Sequence, residues 1–160
     1  MAGDQLLRPT AEPSRRDWIA VMSVMLGAFM AVLDIQITNS SLKDIQGALS
    51  ATLEEGSWIS TSYLVAEIIM IPLTAWLTRV FGLRRFLMWN ALLFTAFSMM
   101  CGLSHTLGAM VIGRIGQGLA GGAMIPTAQT IVRTRLPRHQ LPIGMSAFGL
   151  IVLLGPLLGP

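Results

Sequence analysis

Long apolar runs constrain this chain more than any other feature. Four of them, at about residues 18–39, 58–80, 86–103 and 108–132, run with few polar interruptions, and a fifth opens near Leu141 and is still apolar at Pro160. A helix rises about 1.5 Å per residue, so roughly 18 to 25 residues cross about 30 Å of hydrocarbon. The runs are continuous rather than alternating, which excludes a membrane β-barrel. Composition agrees: 53% of the 160 residues are apolar and only 12% are charged. A soluble domain carries about 25% charged residues, and a disordered chain is polar and highly charged. The sequence therefore predicts an all-α membrane protein, a transmembrane helix bundle with four full spans and the start of a fifth. Residues 18–160 form the membrane domain. Residues 1–17 read as a polar tail, and its acidic residues Asp4, Glu12 and Asp17 argue against a secretory signal.

The arginines orient the bundle. Arg8, Arg15 and Arg16 precede the first span, Arg79, Arg84 and Arg85 separate the second from the third, and Arg133, Arg135 and Arg138 separate the fourth from the fifth. If the spans alternate, nine of the 11 basic residues share one side, with Lys43 opposite and Arg114 inside a span. Basic loops stay in the cytoplasm, so the N-terminus is expected there, in a multi-pass inner-membrane protein. The positive net charge thus serves topology, and no nucleic-acid partner is implied. Trp18, Trp58, Trp76 and Trp89 fall near span ends, where indole rings anchor at the interface. The single cysteine, Cys101, excludes a disulfide framework and a cysteine-based metal site.

Three ionisable residues lie where lipid should be: Asp34, Glu67 and Arg114. A charge near the bilayer centre costs at least about 2.5 to 3.5 kcal/mol on insertion scales, so it is retained for a reason. The first span runs outward and the fourth runs inward. Asp34 and Arg114 each lie about six residues, or about 9 Å, below the outer surface of the core. They can pair if the first and fourth helices are neighbours. An ionised carboxylate holds the arginine and a protonated one releases it, which is the minimum chemistry of a proton-coupled switch. The alternative is a static buried ion pair. Glu67 lies about 14 Å down its span, near the midplane, where it can face a cationic ligand, take up a proton, or do neither. Gln117 shares a helix face with Arg114. Gly118 and Gly122 have the spacing that lets helix backbones approach closely. No phosphate loop, metal-spaced histidine pair or nucleophile elbow is present, so neither an enzyme nor a cofactor or metal is expected.

Four segments in order resemble the major facilitator superfamily, in particular the drug:proton antiporters of the fourteen-span EmrB/QacA-like group. They are Leu33-Asp34-Ile35-Gln36-Ile37-Thr38-Asn39, the loop segment from Thr74 to Arg85, Arg114-Ile115-Gly116-Gln117-Gly118-Leu119-Ala120-Gly121-Gly122, and Gly155-Pro156-Leu157-Leu158-Gly159-Pro160. The sequence departs from the family pattern at Gln36 and Thr38 in the first segment, at Lys43 beyond it, and at Ala75 and Arg79 in the loop. The resemblance implies proton-coupled efflux of drugs or other amphipathic, including cationic, molecules. It makes Asp34 and Arg114 the coupling pair and Glu67 and Gln117 candidates for substrate binding. Gly82, Arg84 and Arg85 would belong to a cytoplasmic gate, and Gly118, Gly122, Gly155, Pro156, Gly159 and Pro160 to helix packing. The partners implied are the bilayer, protons, the substrate, and a periplasmic adaptor with an outer-membrane channel. The family has twelve or fourteen spans, so the chain is expected to be the beginning of a longer transporter. A transport-inactive membrane fragment and a small oligomeric multidrug exporter are the alternatives.

Overall fold

The computed structural model describes residues 14–158, and among them the only regular elements are helices. In order these are α1 (Arg15–Ser40), α2 (Leu42–Ala48), α3 (Leu53–Phe81), α4 (Leu83–Gly102), α5 (Leu107–Gly122), α6 (Met124–Arg135) and α7 (Leu141–Leu158). Arg8, Gly159 and Pro160 lie outside the described residues.

Local chemistry sets the boundaries. The Ser14 side chain and the Asp17 carboxylate form a capping box, which starts α1 inside the segment read as a tail. Thr52 and Glu55 start α3 in the same way: the Thr52 N–H donates to Glu55 Oε2 at 2.9 Å, and the Glu55 N–H donates to Thr52 Oγ1 at 3.3 Å. These bonds hold the Glu55 carboxyl below the usual carboxylate range, the Thr52 backbone bond contributing most. Gly82, with φ of +77°, supplies the turn between α3 and α4 that a side chain would strain. The short helix α2 occupies the polar connection after the first span, where no element was expected.

Helices α1 and α3, of 26 and 29 residues, are long enough to cross a bilayer, and each contains an 18-residue stretch apolar enough to do so, with mean hydropathies of 2.1 and 1.6. The fourth span differs from the continuous helix expected. Its hydrogen-bond ladder is interrupted at Ala123, whose backbone stays right-handed helical, which divides it into α5, of 16 residues, and α6, of 12, about 24 and 18 Å long. Only together do they match the hydrocarbon thickness. Pro126 is the physical reason, because it has no N–H to give the Gly122 carbonyl. Among the described residues no backbone bond returns from Met124 or Ile125 to α5, and the ladder resumes where Thr127 N–H donates to Ala123 O at 3.2 Å.

Helix α5 lies against α3 and α4, and α1 packs on α6 and α7. One core joins Val21, Met25 and Ala28 of α1 to Ala128, Ile131 and Val132 of α6 and Phe148 of α7. A second joins Ala31, Phe94, Ala120 and Met124 beside the break. Large apolar side chains such as Ile19, Ile68, Leu92 and Leu153 face outward. The interior of α5 is instead mostly glycine, with Arg114 and Gln117 among them and only Met110 and Ala120 apolar. That inversion is what a lipid solvent favours, since small and polar residues give close packing and hydrogen bonds that hydrocarbon cannot.

Candidate functional site

Helices α1 and α5 bring Asp34 and Arg114 together. Arg114 Nη1 donates to Asp34 Oδ2 in a salt bridge whose side chains are 2% (Arg114) and 18% (Asp34) exposed. Gln117 closes the arrangement. Its Nε2 donates to Asp34 Oδ1 at 3.0 Å, and its Oε1 accepts from Arg114 Nη1 at 3.0 Å. Both carboxylate oxygens are thus engaged, and the arginine and glutamine are oriented by each other as well as by the acid.

Two further helices complete the shell with residues the sequence reading missed. From α3, the Ile59 carbonyl accepts from Arg114 Nε at 3.4 Å, and the Tyr63 ring lies 4.3 Å from the guanidinium carbon, in cation–π contact. From α4, the Cys101 thiol donates to Gln117 Oε1 at 3.3 Å. Ile59, Tyr63, Ala66 and Met70 form the buried stripe of α3. Their helical spacing was visible in the sequence, but the opposite faces of α3 are equally apolar, so no contrast marked the stripe.

Gly118 and Gly122 are where α5 meets α3. A Cβ at Gly118 would lie 2.9 Å from Ala66 Cβ and would also clash with the Tyr63 carbonyl, and one at Gly122 would lie 2.9 Å from Glu67 Cα. Glu67 is half-buried against Gly122, one turn beyond Tyr63, and among the described residues it forms no ion pair. The structure therefore places it beside the Asp34 network but not in it. Gly155 of α7 is buried against Val32 of α1, and Pro156 is an exposed residue within α7.

Arg84 and Arg85 are exposed and lie in the first turn of α4, not in a loop, because α4 starts directly after Gly82. Arg84 joins Arg16 and Arg135 in lining a cleft of about 650 Å³ between α1, α4 and α6. Arg135 is itself paired with Asp17 at 3.0 Å.

A helical membrane bundle whose interior carries one acid–arginine–glutamine network, reached by close glycine packing, defines the class: an all-α polytopic membrane protein. Comparison with known proteins makes this specific. Residues 24–160 match the Major Facilitator Superfamily, and the chain belongs to that family. It is 39% identical over 148 residues to the "Colistin resistance protein EmrB" of Acinetobacter baumannii, which is 92% of this chain and 29% of that protein. It is 33% identical over 142 residues to the "Multidrug export protein EmrB" of Escherichia coli, 89% of this chain and 28% of that one. It is 32% identical over 143 residues to the "Fatty acid resistance protein FarB" of Neisseria gonorrhoeae, again 89% and 28%. The chain thus spans less than a third of the length of these relatives.

Proposed function

We propose that this chain forms the first part of a proton-driven exporter of amphipathic small molecules, cationic ones included, with Asp34 as the proton site. The observation that carries the reading is the network in which one carboxylate holds both Arg114 and Gln117 across two helices. The relatives' names support the substrate class, since they speak of multidrug export, colistin resistance and fatty acid resistance.

The chemistry follows from the acceptor count. Ionised Asp34 accepts from Arg114 and Gln117, whereas protonation removes the charge that holds the guanidinium and frees α1 from α5. The titratable and charged groups around Asp34 are Arg114 from α5, Tyr63 and Glu67 from α3, and Cys101 from α4. Asp34 is the more open member of the pair, which supports proton access over a purely static bridge. Glu67 is half-buried without a counter-ion among the described residues, and serves as the acidic contact for a cationic substrate. Arg84 and Arg85 belong to the cytoplasmic gate. The arginine distribution supports an inner-membrane protein with a cytoplasmic N-terminus. A periplasmic adaptor and an outer-membrane channel are partners of the complete exporter.

The test is drug efflux from cells that lack their own exporters, driven by the gene that carries this chain, with and without a collapsed proton gradient. Efflux that falls with the gradient and is lost in Asp34→Asn, with membrane insertion intact, is the expected result. Gradient-dependent efflux at the normal rate in Asp34→Asn refutes the assignment of Asp34.

A further inference from the structure

Two buried polar groups have no hydrogen-bond partner among the described residues and lie on the same part of the fold: the Tyr63 hydroxyl and the Asn90 side-chain amide nitrogen. Tyr63 is fully buried. Its hydroxyl abuts the last turn of α5, only 2.6 Å from where a Gly121 Cβ would stand, with the Phe94 ring beside it. Asn90 lies one helical turn from both Phe86 and Phe94 on the buried stripe of α4. Phe86 packs on Ala123 and Phe94 on Ala120 and Met124, so Asn90 faces the junction of α5 and α6.

That junction is where backbone acceptors are released. Pro126 offers no N–H to Gly122, and no bond from Met124 returns to Ala120 among the described residues. Orphan donors and orphan carbonyls thus meet at one buried level. Each buried polar group left unpaired costs about 1 to 3 kcal/mol, so a modest rearrangement that pairs them is close in free energy to the arrangement seen. A break in a helix ladder is also where the chain bends.

The other end of Tyr63 touches the ion pair, because its ring carries the Arg114 guanidinium at 4.3 Å. We propose that Tyr63 is a positioning residue that couples the Asp34–Arg114 pair to the bend in the fourth span. While the pair is intact, Arg114 pins the ring and the hydroxyl stays unpaired. When Arg114 is released, the ring shifts and the hydroxyl donates to a carbonyl at the end of α5, with Asn90 donating to another. The angle between α5 and α6 changes with it. This inference rests on the reading of Asp34 as the proton site.

The experiment is pulsed electron paramagnetic resonance on the chain in lipid nanodiscs, with spin labels at positions 112 and 134, one on each side of the break. The labels are attached to p-acetylphenylalanine at these positions, so the native Cys101 thiol and its bond to Gln117 are kept. The labels lie about 16 Å on either side of the break, so a 20° change in the bend alters their separation by about 1 to 2 Å. We expect the mean of the distance distribution to shift by about 1 to 2 Å between pH 8 and pH 5. Asp34→Asn takes the pH 5 distribution at both values. Tyr63→Phe keeps the ring on Arg114 but lacks the hydroxyl, and holds the pH 8 distribution at both. If Tyr63→Phe does not insert, Gly121→Ala replaces it, because its methyl pushes directly on the hydroxyl and should displace the distribution at pH 8. A pH shift of normal size in Tyr63→Phe, or an unchanged distribution in Gly121→Ala, overturns the coupling and leaves Asp34 as the proton site. No shift in the parent chain, with Asp34→Asn identical to it, refutes the Asp34 reading itself.

Discussion

Replacing Arg114 by leucine measures what the buried pair is for. The substitution leaves Asp34, largely shielded from solvent, without its counter-ion, and removing one member of a buried pair costs about 3 to 5 kcal/mol. It also removes the cation–π contact with Tyr63, worth about 0.5 to 2 kcal/mol. Asp34→Leu combined with Arg114→Leu takes away both charges. Only Gln117 then keeps an orphan amide, at about 1 to 3 kcal/mol, since its oxygen still accepts from Cys101. Adding Gln117→Leu should bring stability back to within about 1 kcal/mol of the parent, because well-packed apolar replacements of buried ion pairs are often neutral. The assay is loss of helical circular dichroism on titration of lipid–detergent micelles with a denaturing detergent. The order expected is parent and triple variant most stable, the double variant lower, Arg114→Leu lowest. If the triple variant is as unstable as Arg114→Leu, the network is chiefly structural. Switching is then not the reason the network is retained.

Gly118→Leu and Gly122→Leu should each separate α3 from α5, because their side chains meet backbone atoms that cannot yield. A loss of about 3 kcal/mol or more is expected in the same titration, at the upper end of overpacking costs, whereas Gly108→Ala, which meets nothing within 4 Å, should be neutral or stabilising. The capping bonds lower the Glu55 pKa in the folded state, so they add stability above the ordinary value of 4.5, and this is lost as pH falls through the depressed value. Acid titration of amide exchange at the start of α3 should show this fraying, and Glu55→Gln should lack it. For topology, a cysteine placed at Arg84 should react with a membrane-impermeant thiol reagent only in inverted vesicles, and one placed at Lys43 only in intact cells. Labelling of both from the same side contradicts the orientation drawn from the arginines.

Much of the site was legible because helix geometry is rigid. A fixed rise per residue places Asp34 and Arg114 at one depth without any knowledge of packing, and spacing of three residues puts Gln117 beside Arg114. The glycines were legible for the same reason, since their spacing marks a face. The break at Ala123 was not drawn, although Pro126 carried the signal: a missing N–H matters only where no neighbouring bond compensates, and that depends on the tertiary fold. Tyr63 and Cys101 were hidden more completely. In a lipid solvent an outward-facing residue is as apolar as a buried one, so periodicity loses the contrast that marks a core face in water. The helix α2 was missed because a seven-residue helix between spans carries no hydrophobic period of its own.

The distribution of partners bears on why this network suits a transporter. Arg114 stands on α5, its acid on α1, its aromatic face and carbonyl on α3, and the thiol that orients Gln117 on α4. Besides the bond between Arg114 and Gln117 within α5, every charged or amide group in it has a partner across a helix boundary. In hydrocarbon a separated partner finds no water to replace it, so the network is intact only when four helices hold one arrangement. A local ion pair within α5 would have met the solvation need equally well and sensed nothing. Spreading the contacts makes the protonation of one carboxylate a statement about the whole bundle. It also predicts that weakening any single helix contact, even at Cys101, alters the response to pH before it alters insertion.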